Sequence, residues 1–241
     1  MTDREVFEKT DFSFEIDGGC GEIEIQPYID LESDRSRTLI ASFQVDSLEM
    51  IESARIPLMA GKNHVPFQQT VRIVKPLLWQ PNGRGTASLY RFTVIFHRKG
   101  APVYRIEKRV GIRFLEICPG QKIFRVNGQN LKPVCCEPDF SPEAEEMPES
   151  KPAGNLVYLT DTDPALTEKL DYCGRLGIMA ALELTGEVDP RRFREQPGVC
   201  FFLAEPGSAG ERLYRNGPGM RLPPLFTRDE LNSLMEMEGN E

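Results

Sequence analysis

Histidine is nearly missing. His64 and His97 are the only two in 241 residues, which starves any Cys/His or Ser/His nucleophile of its base. The six cysteines, Cys20, Cys118, Cys135, Cys136, Cys173 and Cys200, form no CxxC pair and no Cys/His cluster. No zinc or other metal site is therefore expected, no cofactor is expected, and the thiols read as reduced and mostly buried. No run of 18 apolar residues exists, so no membrane-spanning helix is expected. The polar start, Met1 to Val6, lacks the apolar stretch of a secretory signal. A cytoplasmic location is the expectation unless a leader has been removed. Basic residues are outnumbered, 29 against 37 acidic, for a net charge of -8. That sign disfavours nucleic acid as a partner.

What is present is a foldable chain, 40% hydrophobic, in two textures. Residues 12–117 alternate at period two in about seven short runs. They are Phe12–Ile16, Glu22–Gln26, Thr38–Val45, Ala54–Leu58, His64–Phe67 running on to Thr70–Val74, Leu89–Phe96 and Val103–Val110. Turn residues at Asp17–Gly19, Ala60–Asn63 and Lys99–Gly100 separate them. Seven strands in roughly 100 residues predict an immunoglobulin-like sandwich over residues 1–118. Phe92, Val94 and Phe96 share the core-facing side of their strand.

A reduced α/β domain is expected over 119–241. Asn127–Gly128 marks a tight hairpin between Lys122–Val126 and Leu131–Val134. Residues 141–153, rich in Glu and Pro, read as an exposed acidic loop. Strand Leu156–Thr160 follows, then a helix capped by Asp163–Pro164, striped by Leu166, Leu170, Cys173 and Leu176, and ended by Gly177. Strand Ile178–Leu184, a short helix from Asp189–Pro190 and strand Val199–Leu203 come next. Residues 207–225 read as coil, and Thr227 with Glu230 forms a capping box for a last helix. Strand–helix alternation of this kind implies a parallel sheet.

Three stretches resemble one known family. Val71–Gly83, with Trp79-Gln-Pro-Asn82 inside it, precedes Leu89–Val94; Arg109–Ile117, with Gly111-Ile-Arg113, precedes Phe124–Val134, with Asn127-Gly128. Together they resemble the junction between the immunoglobulin-like domain and the catalytic barrel of glycoside hydrolase family 2, and the Trp79 motif leans toward the β-mannosidases. Leu170–Ile178 is similar to the family's early barrel helix and following strand. Trp79 is expected to pack structurally at a sandwich end. Gly111 is expected to permit close backbone approach or a bulge where the sandwich hands over to the next domain. Arg113 is expected to pair with Glu116 or a barrel acid at a domain interface.

The resemblance implies a carbohydrate context and retaining hydrolysis. Such chemistry needs two carboxylates about 5–5.5 Å apart, held on an eight-stranded barrel of about 250 residues. The 123 residues from Pro119 to Glu241 cannot close such a barrel, so a partial one is expected. The family's N-terminal sugar-binding sandwich and its strand-seven nucleophile find no counterpart. Gln196–Pro206 corresponds to the family's strand-four stretch, but Ala204 replaces the Asn that should precede Glu205. Thr160–Asp163 replaces the family's Arg and His after strand two.

Four acids remain as candidates. Glu137, Asp161, Glu183 and Glu205 each stand at or just beyond the end of an expected parallel strand, on the rim where such sheets bind ligands. They can be ligand-binding for a sugar or cation, with Glu205 and Glu183 the catalytic candidates. Equally, Asp161 and Asp163 can cap a helix while the glutamates are merely solvated. The expectation is a catalytically incomplete, carbohydrate-associated binding or interaction module. The alternative is an active retaining β-glycosidase with relocated acids, or one completed by oligomerisation. An exposed edge of the α/β sheet is a candidate surface for a homo-oligomer.

Overall fold

Period-two alternation builds the first half of the chain. The computed structural model describes residues 7, 9–46, 49–118, 123–141, 152–193, 195–215 and 223–235. The chain divides into two compact units, residues 1–76 with 90–110, and residues 77–89 with 111–241.

The first unit holds β1 (Asp11–Gly19), β2 (Glu22–Ser33), β3 (Arg37–Val45), β4 (Glu49–Leu58), β5 (Gly61–Pro66), β6 (Val71–Val74), β7 (Tyr90–Arg98) and β8 (Ala101–Val110). One antiparallel sheet runs β1-β2-β5, with β6 also on β2; the other runs β4-β3-β7-β8. The expected continuous run from His64 to Val74 is two strands, β5 and β6, which pair with different stretches of β2. Phe12 and Phe14 of one sheet meet Phe43 and Phe92 of the other edge to face, at 6.1 and 4.8 Å. The expected inward face of Phe92, Val94 and Phe96 is completely buried. Area burial of such side chains is the main stabilising term.

The second unit opens with an antiparallel meander, β9 (Leu115–Cys118), β10 (Ile123–Val126) and β11 (Gln129–Asn130). Its turn is Asn127–Gly128, with φ of +54° and +76°, the two-residue type the sequence predicts. The returning strand is Gln129–Asn130 in place of the expected Leu131–Val134; past it, among the described residues, only Leu131 holds to β10, donating to Phe124 O at 2.9 Å.

A parallel sheet follows, in the order β12 (Leu156–Thr160), β13 (Met179–Glu183), β14 (Val199–Leu203), β15 (Leu225–Phe226). Helix α1 (Leu166–Leu176) links β12 to β13, a 3-10 turn (Pro190–Phe193) links β13 to β14, α2 (Ala209–Arg215) precedes β15, and α3 (Arg228–Met235) ends the described chain. Among the described residues this sheet is open, with β12 and β15 at its edges. Both faces are covered. Leu166, Leu170 and Phe193 pack with Val157, Leu182 and Phe202 on one. Trp79, Phe124, Val126 and Leu231 pack with Met179, Phe201 and Leu203 on the other. That explains why β13 and β14 read as unbroken apolar runs.

Two local expectations are corrected. Residues 209–215 are helical rather than coil. Ser208 accepts the Glu211 amide (3.1 Å) while Glu211 accepts the Gly207 amide (2.6 Å), a helix-starting reciprocal cap that the Gly/Pro content of the region hid. Asp163 does not cap α1 directly; the N-cap is Ala165, and Asp163 closes the turn before it by accepting the Ala165 amide at 2.9 Å. Gly177 ends α1 in the left-handed region and the Thr227–Glu230 box starts α3, both as expected. Most of the acidic stretch 141–153 lies outside the described residues.

Candidate functional site

The sequence motif that carries the family resemblance folds as structural packing. Trp79 is fully buried within the second unit, in the structural packing role the sequence predicts. Its indole N–H donates to Gly174 O at 2.7 Å. Its carbonyl accepts from Asn127, whose own amide oxygen takes the Phe114 N–H. Asn82 donates to Pro152 O and Gly154 O. Gly111 lies so close to Trp79 and Pro197 that a Cβ would stand 2.9 Å from each, the expected close approach. Arg113 pairs with no acid among the described residues. It donates to Gln196 O and Val199 O and lies over the Trp79 ring, while Glu116 pairs with Arg125.

The second unit carries a cleft of about 900 Å³ at the β12 edge. One wall is the segment around Cys135, Cys136, Glu137 and Phe140; the floor is β12; Lys169 of α1, Glu183 and Arg228 complete it. Among the described residues, the chain before β12 bridges it only at Cys135–Leu156, which leaves the cleft beside the rest of the strand. Proline at 138 has no amide to continue a ladder.

The four predicted acids separate. Glu137 and Glu183 line the cleft. Glu183 is exposed and paired with Arg228 at 3.3 Å. Asp161 is buried, with each carboxylate oxygen accepting the Thr185 N–H at 3.1 Å, so it ties the end of β12 to the residues after β13. Glu205 is exposed, and it does not line the cleft.

Groups the sequence reading did not single out as a site also line it. Asp163 pairs with Lys169 at 2.6 Å; that contact and the Ala165 amide hold its carboxyl below the usual range. Tyr158 donates to Asn232 at 2.8 Å and lies under Arg228; burial, then Cys135, pushes its phenol up to about 12. Cys136 donates to Leu156 O, and burial raises its thiol. Cys173 and Cys200 are buried as expected, whereas Cys20 and Cys135 are exposed. Cys118 falls among the residues whose side chains are not described. Lys169 and Arg228 sit on separate helices, and only the fold brings them to one rim.

Comparison with known proteins places this geometry. Residues 21–113 match the family model described as Glycosyl hydrolases family 2. Beta-mannosidase B of Aspergillus terreus is 35% identical over 65 residues, 24% of this chain and 8% of that protein. Beta-mannosidase B of Neosartorya fischeri is 29% identical over 114 residues, 45% of this chain and 13% of that protein. Among solved structures, Beta-D-Mannosidase from Dictyoglomus thermophilum superposes with a TM-score of 0.68 at 16% identity, over 90% of this chain and 34% of its own. Amycolatopsis orientalis exo-chitosanase CsxA gives 0.64 at 16% identity, over 94% and 31%. The chain thus spans about a third of those solved chains. Residues 21–113 match that family's model, and the resemblance read from the sequence is borne out.

Proposed function

We propose that this chain is a non-hydrolysing relative of glycoside hydrolase family 2 that serves as a carbohydrate-associated binding module. One observation carries the reading: of the two catalytic candidates, Glu183 lines the cleft and Glu205 does not. Glu183 is matched to Arg228, Asp161 is engaged by the Thr185 amide, and Glu205 lies outside the cleft that holds Glu137. Retaining hydrolysis needs a nucleophile and an acid facing each other across about 5–5.5 Å. The four-stranded sheet, open among the described residues, supports the reading as a partial barrel.

Pure protein is expected to leave aryl β-mannosides and β-galactosides intact. Turnover abolished by Glu205→Gln or Glu183→Gln would instead establish the active β-glycosidase reading. In a thermal-shift screen of free sugars, a ligand should raise the melting temperature by mass action. Glu137→Gln and Arg228→Ala should diminish that rise if the cleft is the site.

A further inference from the structure

The parallel sheet ends inside its own cleft with backbone groups to spare. Leu156 donates to Val134 O at 3.0 Å and accepts from the Cys136 amide at 2.8 Å, and among the described residues no further ladder bond follows on that side. The register identifies what is left over. Met179 donates to Asn155 O and the Asp161 amide donates to Glu183 O, so the odd-numbered residues of β12 turn their backbone groups to β13. The even-numbered residues turn theirs to the cleft side. Thr160 O closes a turn with the Asp163 amide. Among the described residues, the Tyr158 N–H, the Tyr158 C=O and the Thr160 N–H have no partner, and both residues line the cleft.

We propose that this open edge of β12 receives, as an added strand, an extended peptide segment of another protein that carries a lysine or arginine. A donor, an acceptor and a donor at strand spacing are complementary to the acceptor, donor and acceptor of one extended backbone, which is how strand addition achieves affinity. Charge selects the side chain. Lys169 is paired with Asp163 and Arg228 with Glu183, whereas Glu137 on the facing wall has no ion-pair partner among the described residues. With a net charge of -8 overall, the rim favours a cationic visitor. This proposal does not depend on the carbohydrate reading, and a blank sugar screen leaves it standing.

The test is calorimetric titration of the whole chain with blocked heptapeptides alternating valine and threonine around a central lysine. Saturable binding is expected. N-methylation of alternate amides along one peptide edge should weaken it by about tenfold or more, as for a lost hydrogen bond, while methylating the other edge should change it little. Glu137→Lys should lower affinity for the lysine peptide and raise it for the glutamate counterpart. Equal sensitivity of both edges to methylation, no binding, or indifference to Glu137→Lys would overturn the proposal. So would sedimentation showing that the chain dimerises and that the dimer excludes peptide, because the occupant would then be a second copy.

Discussion

The indole of Trp79 has a single polar atom and no exposure to solvent, so its hydrogen bond to Gly174 O is what makes burial of the ring tolerable. Trp79→Phe keeps most of the packing and strands that carbonyl. Urea denaturation should register a loss of about 1–3 kcal/mol, and Trp79→Ala about 3–5 kcal/mol. Asp163 acts through charge. Its pKa is lowered by Lys169 first and the Ala165 amide second, so its stabilisation is fully present above the ordinary value of 3.8 and is lost as pH falls through the lowered one. Asp163→Asn should therefore destabilise at neutral pH and shrink the difference from wild type in that acid window. A constant difference down to the acid transition would contradict it.

At the scale of elements, helix α2 lies against the strand end at Leu184 because Gly210 has no side chain. A Cβ there would meet Leu184 O at 2.1 Å. On an exposed helix Gly→Ala gains about 1 kcal/mol; here the clash reverses the sign. Gly210→Ala should lower stability by about 1–3 kcal/mol, as overpacking does, and a raised melting temperature would refute the contact. This helix shows how legibility fails. Ser208 and Glu211 spell a cap, but the neighbouring Gly and Pro outweigh them in any linear reading. By contrast, Gly177 and Thr227–Glu230 act through neighbours four or fewer residues away and were legible. The backbone register makes a further prediction. In hydrogen exchange of the free chain, the Val157 and Leu159 amides should be protected by β13 while the Tyr158 amide exchanges fast. Slow exchange at Tyr158 would mean that its edge is already covered.

For the whole molecule, local periodicity and turn chemistry determined the two textures. Alternation placed the strands of the first unit, though it ran β5 into β6, and strand–helix alternation placed β12, β13 and β14 but not β15, because side-chain period follows from backbone geometry alone and a two-residue strand shows no period. The family resemblance was legible in the sequence, but the partners of its marked residues were not. Trp79, Asn82 and Asn127 are marked residues in the sequence, yet their partners lie 48 to 95 positions away, and only the tertiary structure assigned them to the second unit. The site behaved likewise. Strand ends identified Glu137, Asp161, Glu183 and Glu205 as candidates, because a parallel sheet sends all its carboxyl ends to one rim. Which of them share a cleft was decided by side-chain pairing across separate elements, Arg228 to Glu183 and Lys169 to Asp163. So was the unpaired β12 edge. A strand's own residues say that it pairs, but how far a neighbour follows it before turning away depends on contacts distant in the chain.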